Sequence, residues 1–372
     1  VNVGVLGGGQ LGRMLALAGY PLGIAVSCFD RSSDVSAADV CTVVAGDLSD
    51  SELLHDWTAH VDVLTYEFES FPVELVADLA ETTSAFPGAG PLAIAQDRWA
   101  EKRLFDESGI PIAPFRTVID EAQLRQAIKE LGFPVVAKTR TGGYDGKGQV
   151  VCRHDSDVER AMKLLSTSDL IVEQFIDFQS ELSIIGVRGR NGQTAMYPLT
   201  ENEHRNGILY ASRVPSTAQS ETVRQAQSYM ATLLERLDYV GVLTLEMFLV
   251  EGRLLANEMA PRVHNSGHWT IEGSETSQFE NHLRAITGLP LGGTGLRSPT
   301  AMLNLISTLP PINEVLAVVG SHLHLYGKSP RQDRKLGHVT VTGSDWNSVR
   351  QRLTAVENVV RRAENHSSQL IR

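Results

Sequence analysis

A chain of 372 residues is longer than one ordinary hydrophobic core supports, so two or three domains are expected. Its net charge of -11 argues against a general nucleic-acid surface, and 42% hydrophobic with 21% charged residues is an ordinary globular balance. No run approaches about 18 apolar residues, which predicts no membrane span and a cytoplasmic protein, while Cys28, Cys41 and Cys152 lie in apolar runs, as buried thiols do, instead of forming a disulfide framework or a metal site.

Residues 1 to about 96 alternate short apolar runs (VNVGVLG, IAVSCFD, CTVVAG, VDVLTYE) with the helical stretches QLGRMLALAG and SELLHDWTAH. That alternation predicts a parallel sheet with crossover helices, a small Rossmann-like unit. Its first turn, Gly7-Gly8-Gly9-Gln10-Leu11-Gly12, fits G-x-G-x-x-G, and Asp30 ends the next apolar run, where a ribose-binding carboxylate sits in a nicotinamide enzyme. The glycines bring a helix N-terminus close to an anion, but any anion would serve, so a dinucleotide and some other ligand both stay open here. FPGAGPL, at 86 to 92, punctuates the end of the unit; DRWAEKRLFDESG is helical by pattern and closes at Gly109, and the prolines of IPIAPF mark a domain junction.

In DEAQLRQAIKELG, Asp120 followed by Gln123 resembles a capping box, with Gly132 at the helix end. The strand PVVAKTR, the loop TGGYDGKG, the strand QVVCR, a helix (DVERAMKLLS) and the strand LIVEQFI complete a compact module. A hairpin is expected around Asn191-Gly192, a long helix at about 218 to 238, and from about 296 a smaller mixed segment with strands HLHLYGK and GHVTVTG and the helix DWNSVRQRLTAVENVV.

Three features carry chemistry. In VGVLTLEMFLVEGRLLANEMAPR, a three-residue loop Glu251-Gly252-Arg253 would pair Val250 with Leu254 and put Glu246 opposite Glu258 on one face, with Leu243, Leu245, Met247 and Leu249 on the other. Facing carboxylates repel unless a cation lies between them, and carboxylates supplemented by nucleotide phosphates suit Mg2+. Lys138 projects from a strand beside a loop with glycines at 142, 143, 146 and 148, a device for holding a triphosphate. Third, LIVEQFI runs into a connector whose backbone can meet adenine, with Glu181 in reach of a ribose. Taken singly, each has a plainer reading: an exposed acidic hairpin, an ordinary glycine turn, a solvated strand lysine.

Their order resembles the ATP-grasp superfamily, and within it the N5-carboxyaminoimidazole ribonucleotide synthetase family. The likeness spans essentially the whole chain, through GGGQLGRM, YEFE at 66 to 69, GGYDGKGQ at 142 to 149, NEMAPRVHNSGHWT at 257 to 270, HLHLYGK and RKLGH. It implies an α/β chain (α+β in parts) with a pre-ATP-grasp domain at 1–96, an ATP-grasp domain at 97–295 carrying a glycine-loop lid at about 110–178, and a C-terminal domain at 296–372 that completes the substrate site. It also implies ATP- and bicarbonate-dependent carboxylation of 5-aminoimidazole ribonucleotide through carboxyphosphate, with Mg2+ (Mn2+ as an alternative) on Glu246 and Glu258, in a homodimer that engages neither membrane nor nucleic acid.

By the same resemblance Arg98, Lys138, Gly143, Tyr144, Asp145, Gly146, Lys147, Gly148, Gln149, Glu173, Gln174, Phe175, Ile176, Glu181, His204, Asn257 and Glu258 meet ATP. Lys138, Tyr144, Asp145, Lys147, Arg262, His264 and Asn265 form the catalytic set, with the last three near bicarbonate and the amine. Gln10 and Glu67, with Tyr144 and Asp145, surround the imidazole, and Lys328, Arg331, Arg334 and Lys335 suit a ribose 5-phosphate. The N-terminal glycine turn then faces the ribonucleotide and Asp30 becomes an ordinary strand-end acid. One departure is Ala260, where many ATP-grasp enzymes have Asn, which leaves a third protein ligand to the metal unassigned. The alternatives are another ATP-grasp ligase (a formate-using transformylase or a biotin carboxylase-like enzyme), a nicotinamide oxidoreductase built on residues 4 to 30, and a non-catalytic nucleotide-binding module.

Overall fold

The computed structural model describes residues 1–143 and 147–370. Three sheets organise it. The first is parallel, in the order Thr42–Ala45, Ala25–Asp30, Asn2–Leu6, Val63–Tyr66. Val3, Val5 and Leu6 in its middle are fully buried, as a parallel strand covered on both faces requires. The Sγ atoms of Cys28 and Cys41 lie 3.6 Å apart here, both as free thiols. FPGAGPL does more than punctuate: the helix Ala89–Gln96 begins inside it, with Gly88 as N-cap and Pro91 in the first turn, where a missing N–H costs nothing.

The second sheet is a small antiparallel one, in the order Phe115–Val118, Leu170–Gln174, Val135–Thr139, Gln149–Cys152. Helices Glu121–Leu131 and Val158–Leu165 pack on it around a core of its own that includes Leu124, Ile128, Val135, Ala161 and Val172. Asp120 caps the first helix by accepting from the Gln123 N–H at 2.8 Å, and Gln123 returns the bond to the Ile119 N–H at 3.0 Å.

The largest sheet has nine strands, and its C-terminal members continue it directly: Thr300–Ile306 pairs with Ile208–Val214, then Lys335–Thr342 and Ser321–Leu325 follow. The mixed segment expected from about 296 is therefore hydrogen-bonded into the central sheet, although the helix Trp346–Leu370 helps build a separate core over it with Leu303, Val339, Val349 and Val356. Beneath the sheet, helix Ser220–Arg236 sets Ala226, Met230, Leu233 and Leu234 against Leu243, Leu245 and Met247, the face expected to be apolar. His282 ties this sheet to the first: its Nδ1 accepts from the Val242 N–H at 3.1 Å and its Nε2 lies 2.9 Å from Thr65 Oγ1. Among the described residues no helix is long and apolar enough to cross a membrane.

Candidate active site

The N-terminal glycine turn already holds an anion, and it is the protein's own. Glu67 Oε1 accepts from the Gly9 N–H and Oε2 from the Gly12 N–H at 2.7 Å, so a buried carboxylate sits at the start of helix Gln10–Gly19. Gly8 N–H donates to Asp30 Oδ2 at 2.8 Å, which corrects the reading of Asp30 as an ordinary strand-end acid: it shapes the turn. A Cβ at Gly9 would meet Glu67 Oε1 at 2.5 Å, so glycine is required by the carboxylate, which already takes the N–H donors that a pyrophosphate would need. Burial pushes the Glu67 pKa up, while the two N–H groups and Lys328 pull against it. Lys328 Nζ in turn donates to Gln10 Oε1, which joins two expected substrate residues from opposite ends of the chain. Burial brings Lys328 down to about 8.

Lys138 projects from its strand as expected and reaches Glu173 Oε2 at 3.0 Å and Asn257 Oδ1 at 3.5 Å. No sequence signal pointed to its neighbour Lys102, which is 1% exposed, lies 3.5 Å from Glu173 Oε1 and donates to the Asn257 carbonyl at 3.1 Å. Burial opposes ionisation of Glu173, yet Lys138 and Lys102 outweigh it and hold its pKa at about 2. Glu101, equally unforeseen, accepts from the Met259 N–H at 2.6 Å, and burial with the nearby Glu258 charge raises it to about 8. Arg98 anchors the glycine loop: its guanidinium donates to the carbonyls of Thr139 at 3.0 Å and Gly143 at 3.3 Å. Gly148 takes φ +74° at the other end, and Gln149 pairs with Lys138. Tyr144, Asp145 and Gly146 lie outside the described residues; Lys147 is exposed. In the connector, Gln174 is exposed, Phe175 lies under the Arg153 guanidinium and Ile176 is half-buried.

Glu246 does pair with Glu258, but by another route than the one expected. The hairpin loop has two residues, Glu251 and Gly252, at φ 48° and 78°, and Val250 pairs with Arg253 instead of Leu254. A bulge then leaves Asn257 without a partner strand residue and advances the register by one, which restores the facing pair. The same bulge presents Asn257 to both lysines. Burial, then the charge of Glu258, raises Glu246 to about 7, as facing carboxylates do to one another. This donor set fits a hard divalent cation that takes its remaining oxygens from phosphates and water. Among the described residues no group of three or more His, Cys, Asp or Glu side chains forms a complete metal cage.

Around the pair, His204 Nδ1 lies 2.8 Å from Glu181 Oε2; burial disfavours its protonation, but Glu181 and the charges of Glu246 and Glu258 prevail and raise its pKa. His264 Nε2 faces Glu246 Oε1 at 3.3 Å, and burial with the Arg262 charge keeps this imidazole neutral. Arg262 Nη2 pairs with Glu69 Oε1 at 2.8 Å, a partner visible only as part of YEFE. Asn265 is 8% exposed and neither its amide nitrogen nor its oxygen has a protein partner. A buried amide with both ends open is costly unless a ligand or water meets it. The basic run is less convergent: Arg331 is exposed and Arg334 donates to the Ser329 carbonyl at 3.2 Å, whereas the Lys335 charge is felt at Glu246 and His264.

Known proteins share this layout. Family models match residues 1–96 (ribonucleotide synthetase preATP-grasp domain), 103–279 (ATP-grasp domain) and 300–352 (phosphoribosylaminoimidazole carboxylase C-terminal domain). The N5-carboxyaminoimidazole ribonucleotide synthase of Pseudomonas aeruginosa is 48% identical over 97% of this chain and 99% of its own length. The solved N5-carboxyaminoimidazole ribonucleotide synthetase of Thermus thermophilus is 46% identical, with a TM-score of 0.92 over 96% of this chain and 98% of that one. The Aspergillus clavatus N5-carboxyaminoimidazole synthase, solved in complex with ADP and 5-aminoimidazole ribonucleotide, is 30% identical with a TM-score of 0.90, covering 97% and 98% of the two chains. The chain thus belongs to the N5-carboxyaminoimidazole ribonucleotide synthase family of ATP-grasp ligases.

Proposed function

We propose that this enzyme uses ATP to carboxylate the exocyclic amine of 5-aminoimidazole ribonucleotide, in purine biosynthesis, with bicarbonate as the carbon source. A bicarbonate oxygen attacks the γ-phosphorus, the bond to the β–γ bridging oxygen breaks and ADP leaves. The amine nitrogen then bonds to the carboxyl carbon of carboxyphosphate while the carbon–oxygen bond to phosphate breaks, and the amine proton leaves with the released phosphate.

The observation that carries this reading is the pairing of Glu246 with Glu258 beside the Lys138, Lys102 and Glu173 cluster. Glu246 and Glu258 would hold Mg2+, or Mn2+ in its place, which when bound neutralises charge on the outer phosphates. Lys138 lowers the repulsion between bicarbonate and the triphosphate. Arg262 would grip a carboxyl group with its planar fork, and the open amide of Asn265 supplies it with a further donor. Lys328 and Gln10, with Glu67 behind them, would orient the ribonucleotide, and Arg331, Arg334 and Lys335 its phosphate. Closure of the glycine-loop domain over the nucleotide would keep water from the acyl phosphate. The family resemblance extends the reading to a homodimer in the cytoplasm.

The test is ADP release with bicarbonate, in the presence and absence of aminoimidazole ribonucleotide. Glu258→Gln should lower the carboxylation rate by at least about 1,000-fold while the melting temperature stays within a few degrees. Turnover near that of the unmodified enzyme would remove the metal assignment.

A further inference from the structure

Behind His264 runs a line of buried polar side chains that the proposed carboxylation steps do not touch. Ser266 Oγ lies 2.9 Å from His264 Nδ1, Ser183 Oγ donates to Ser266 Oγ at 2.8 Å, Asn202 Nδ2 donates to Ser183 Oγ at 2.9 Å, and Ser212 Oγ donates to Asn202 Oδ1 at 2.8 Å. All four are buried, the three serines completely. They come from the strands Ser180–Arg188, Thr200–Arg205 and Ile208–Val214 and the short turn Asn265–Gly267. The sheet fixes their spacing: Asn202 pairs directly with Ser212, and Ser183 directly with Glu246. Such groups are costly inside a protein unless each is bonded, and a fully bonded file holds its members in one arrangement.

The direction of the file is set at its inner end. Hydroxyls can rotate and an amide can be turned over, but a backbone N–H can only donate. The Ser266 N–H donates to His264 Nδ1 at 3.3 Å, so Nδ1 carries a lone pair. The proton of the imidazole is then on Nε2, the nitrogen that faces Glu246. Because Ser183 supplies a proton to the Ser266 oxygen, the Ser266 hydroxyl is left to point its own at Nδ1.

We propose that Ser266, through its N–H and its hydroxyl, with Ser183, Asn202 and Ser212 behind it, holds His264 as the Nε2–H tautomer, a hydrogen-bond donor beside Glu246 that is aimed at the oxygens of the one-carbon substrate and has no lone pair on Nε2 with which to take a proton there. The inference rests on the reading of His264 as lying at the bicarbonate end of the site. A fixed donor suits oxygens that carry negative charge through the transfer, and a histidine acting as base would need the lone pair that this arrangement removes from Nε2. The Nε2 proton stays in place throughout.

Two readouts test it. In the full chain labelled with 15N-histidine, long-range 1H–15N spectra, with His264 assigned by its loss in His264→Gln, should show a lone-pair nitrogen at Nδ1 and an N–H at Nε2. Ser266→Ala removes the closer of the two donors to Nδ1, the hydroxyl at 2.9 Å, and leaves only the N–H at 3.3 Å, so both nitrogen shifts should move part of the way toward a tautomeric average, as they should in Ser212→Ala at the far end if the first fails to fold; a file that only fills space would lower the melting temperature and leave the shifts alone. In turnover, His264→Gln, whose amide can offer an N–H near the same place, should carboxylate at least about ten-fold faster than His264→Leu. An Nδ1–H tautomer in the unmodified chain, or equal loss in the two His264 variants, overturns the inference. Full activity in His264→Leu removes the donor role together with the residue's place in the site. An Nε2–H tautomer in a chain that never carboxylates the ribonucleotide upholds the lock and refutes the proposed function alone.

Discussion

Two glycine-rich turns look alike in the sequence and differ in what they hold. At residues 7–12 the N–H groups of Gly8, Gly9 and Gly12 are taken by Asp30 and Glu67. At 142–148 the flanking backbone is tied down by Arg98 and Thr139, and Gly142 and Lys147 are exposed. The first turn is a finished internal contact, whereas at the second the described flanks, Gly142 and Lys147, face solvent. A glycine pattern says that backbone donors come close to something; which carboxylates the chain itself delivers there decides whether a ligand can.

Variants at the two turns should diverge in kind as well as size. The largest effect belongs to the second turn: Lys138→Met beside it should cost about 100-fold in kcat/KM for ATP, measured by ADP release, with little change in the melting temperature. At the closed turn Gly9→Ala forces a methyl to 2.5 Å from Glu67 Oε1 and should destabilise the fold by about 2 kcal/mol, read by urea unfolding. Gly142→Ala meets no atom within 4 Å and carries only the cost of its φ of +74°, about 1 kcal/mol. Lys328 is cationic below its pKa of about 8 and neutral above it, so the KM for the ribonucleotide should rise as pH passes upward through that value. Lys328→Ala should raise the KM about ten-fold and flatten this dependence. The smallest effect is a predicted zero: NAD should leave the melting temperature unchanged while Mg-ATP raises it, and the reverse result would reopen the closed turn as a dinucleotide site.

What could be read in advance was local or followed from strand periodicity. The Asp120 cap, the Asn191-Gly192 turn, Lys138 beside its loop and the apolar face of Gly241–Val250 all depend on neighbours within a few residues. The facing glutamates were reached through a loop one residue too long and a bulge that went unseen, two errors that cancel. Lys102 and Glu101 were invisible because charged residues on an amphipathic helix look like a solvated face, and their partners, Glu173, Asn257 and Met259, lie at least 71 positions away. Glu69 passed unnoticed within YEFE for the same reason, its partner Arg262 being far down the chain. The Ser183, Asn202 and Ser212 file was hidden by its chemistry: small polar residues alternating along a strand suggest exposure until three strands are laid side by side.

The pairing of Val214 with Thr300 carries a consequence for how the protein is made. Until translation has passed the strand Lys335–Thr342, the nascent chain displays the unpaired rim of an apolar sheet, and until it has passed residue 328 it also lacks the partner of Gln10. A message cut short before residue 328 would yield a sticky fragment with an unfinished ribonucleotide pocket, so this C-terminal stretch both seals the edge and completes the site.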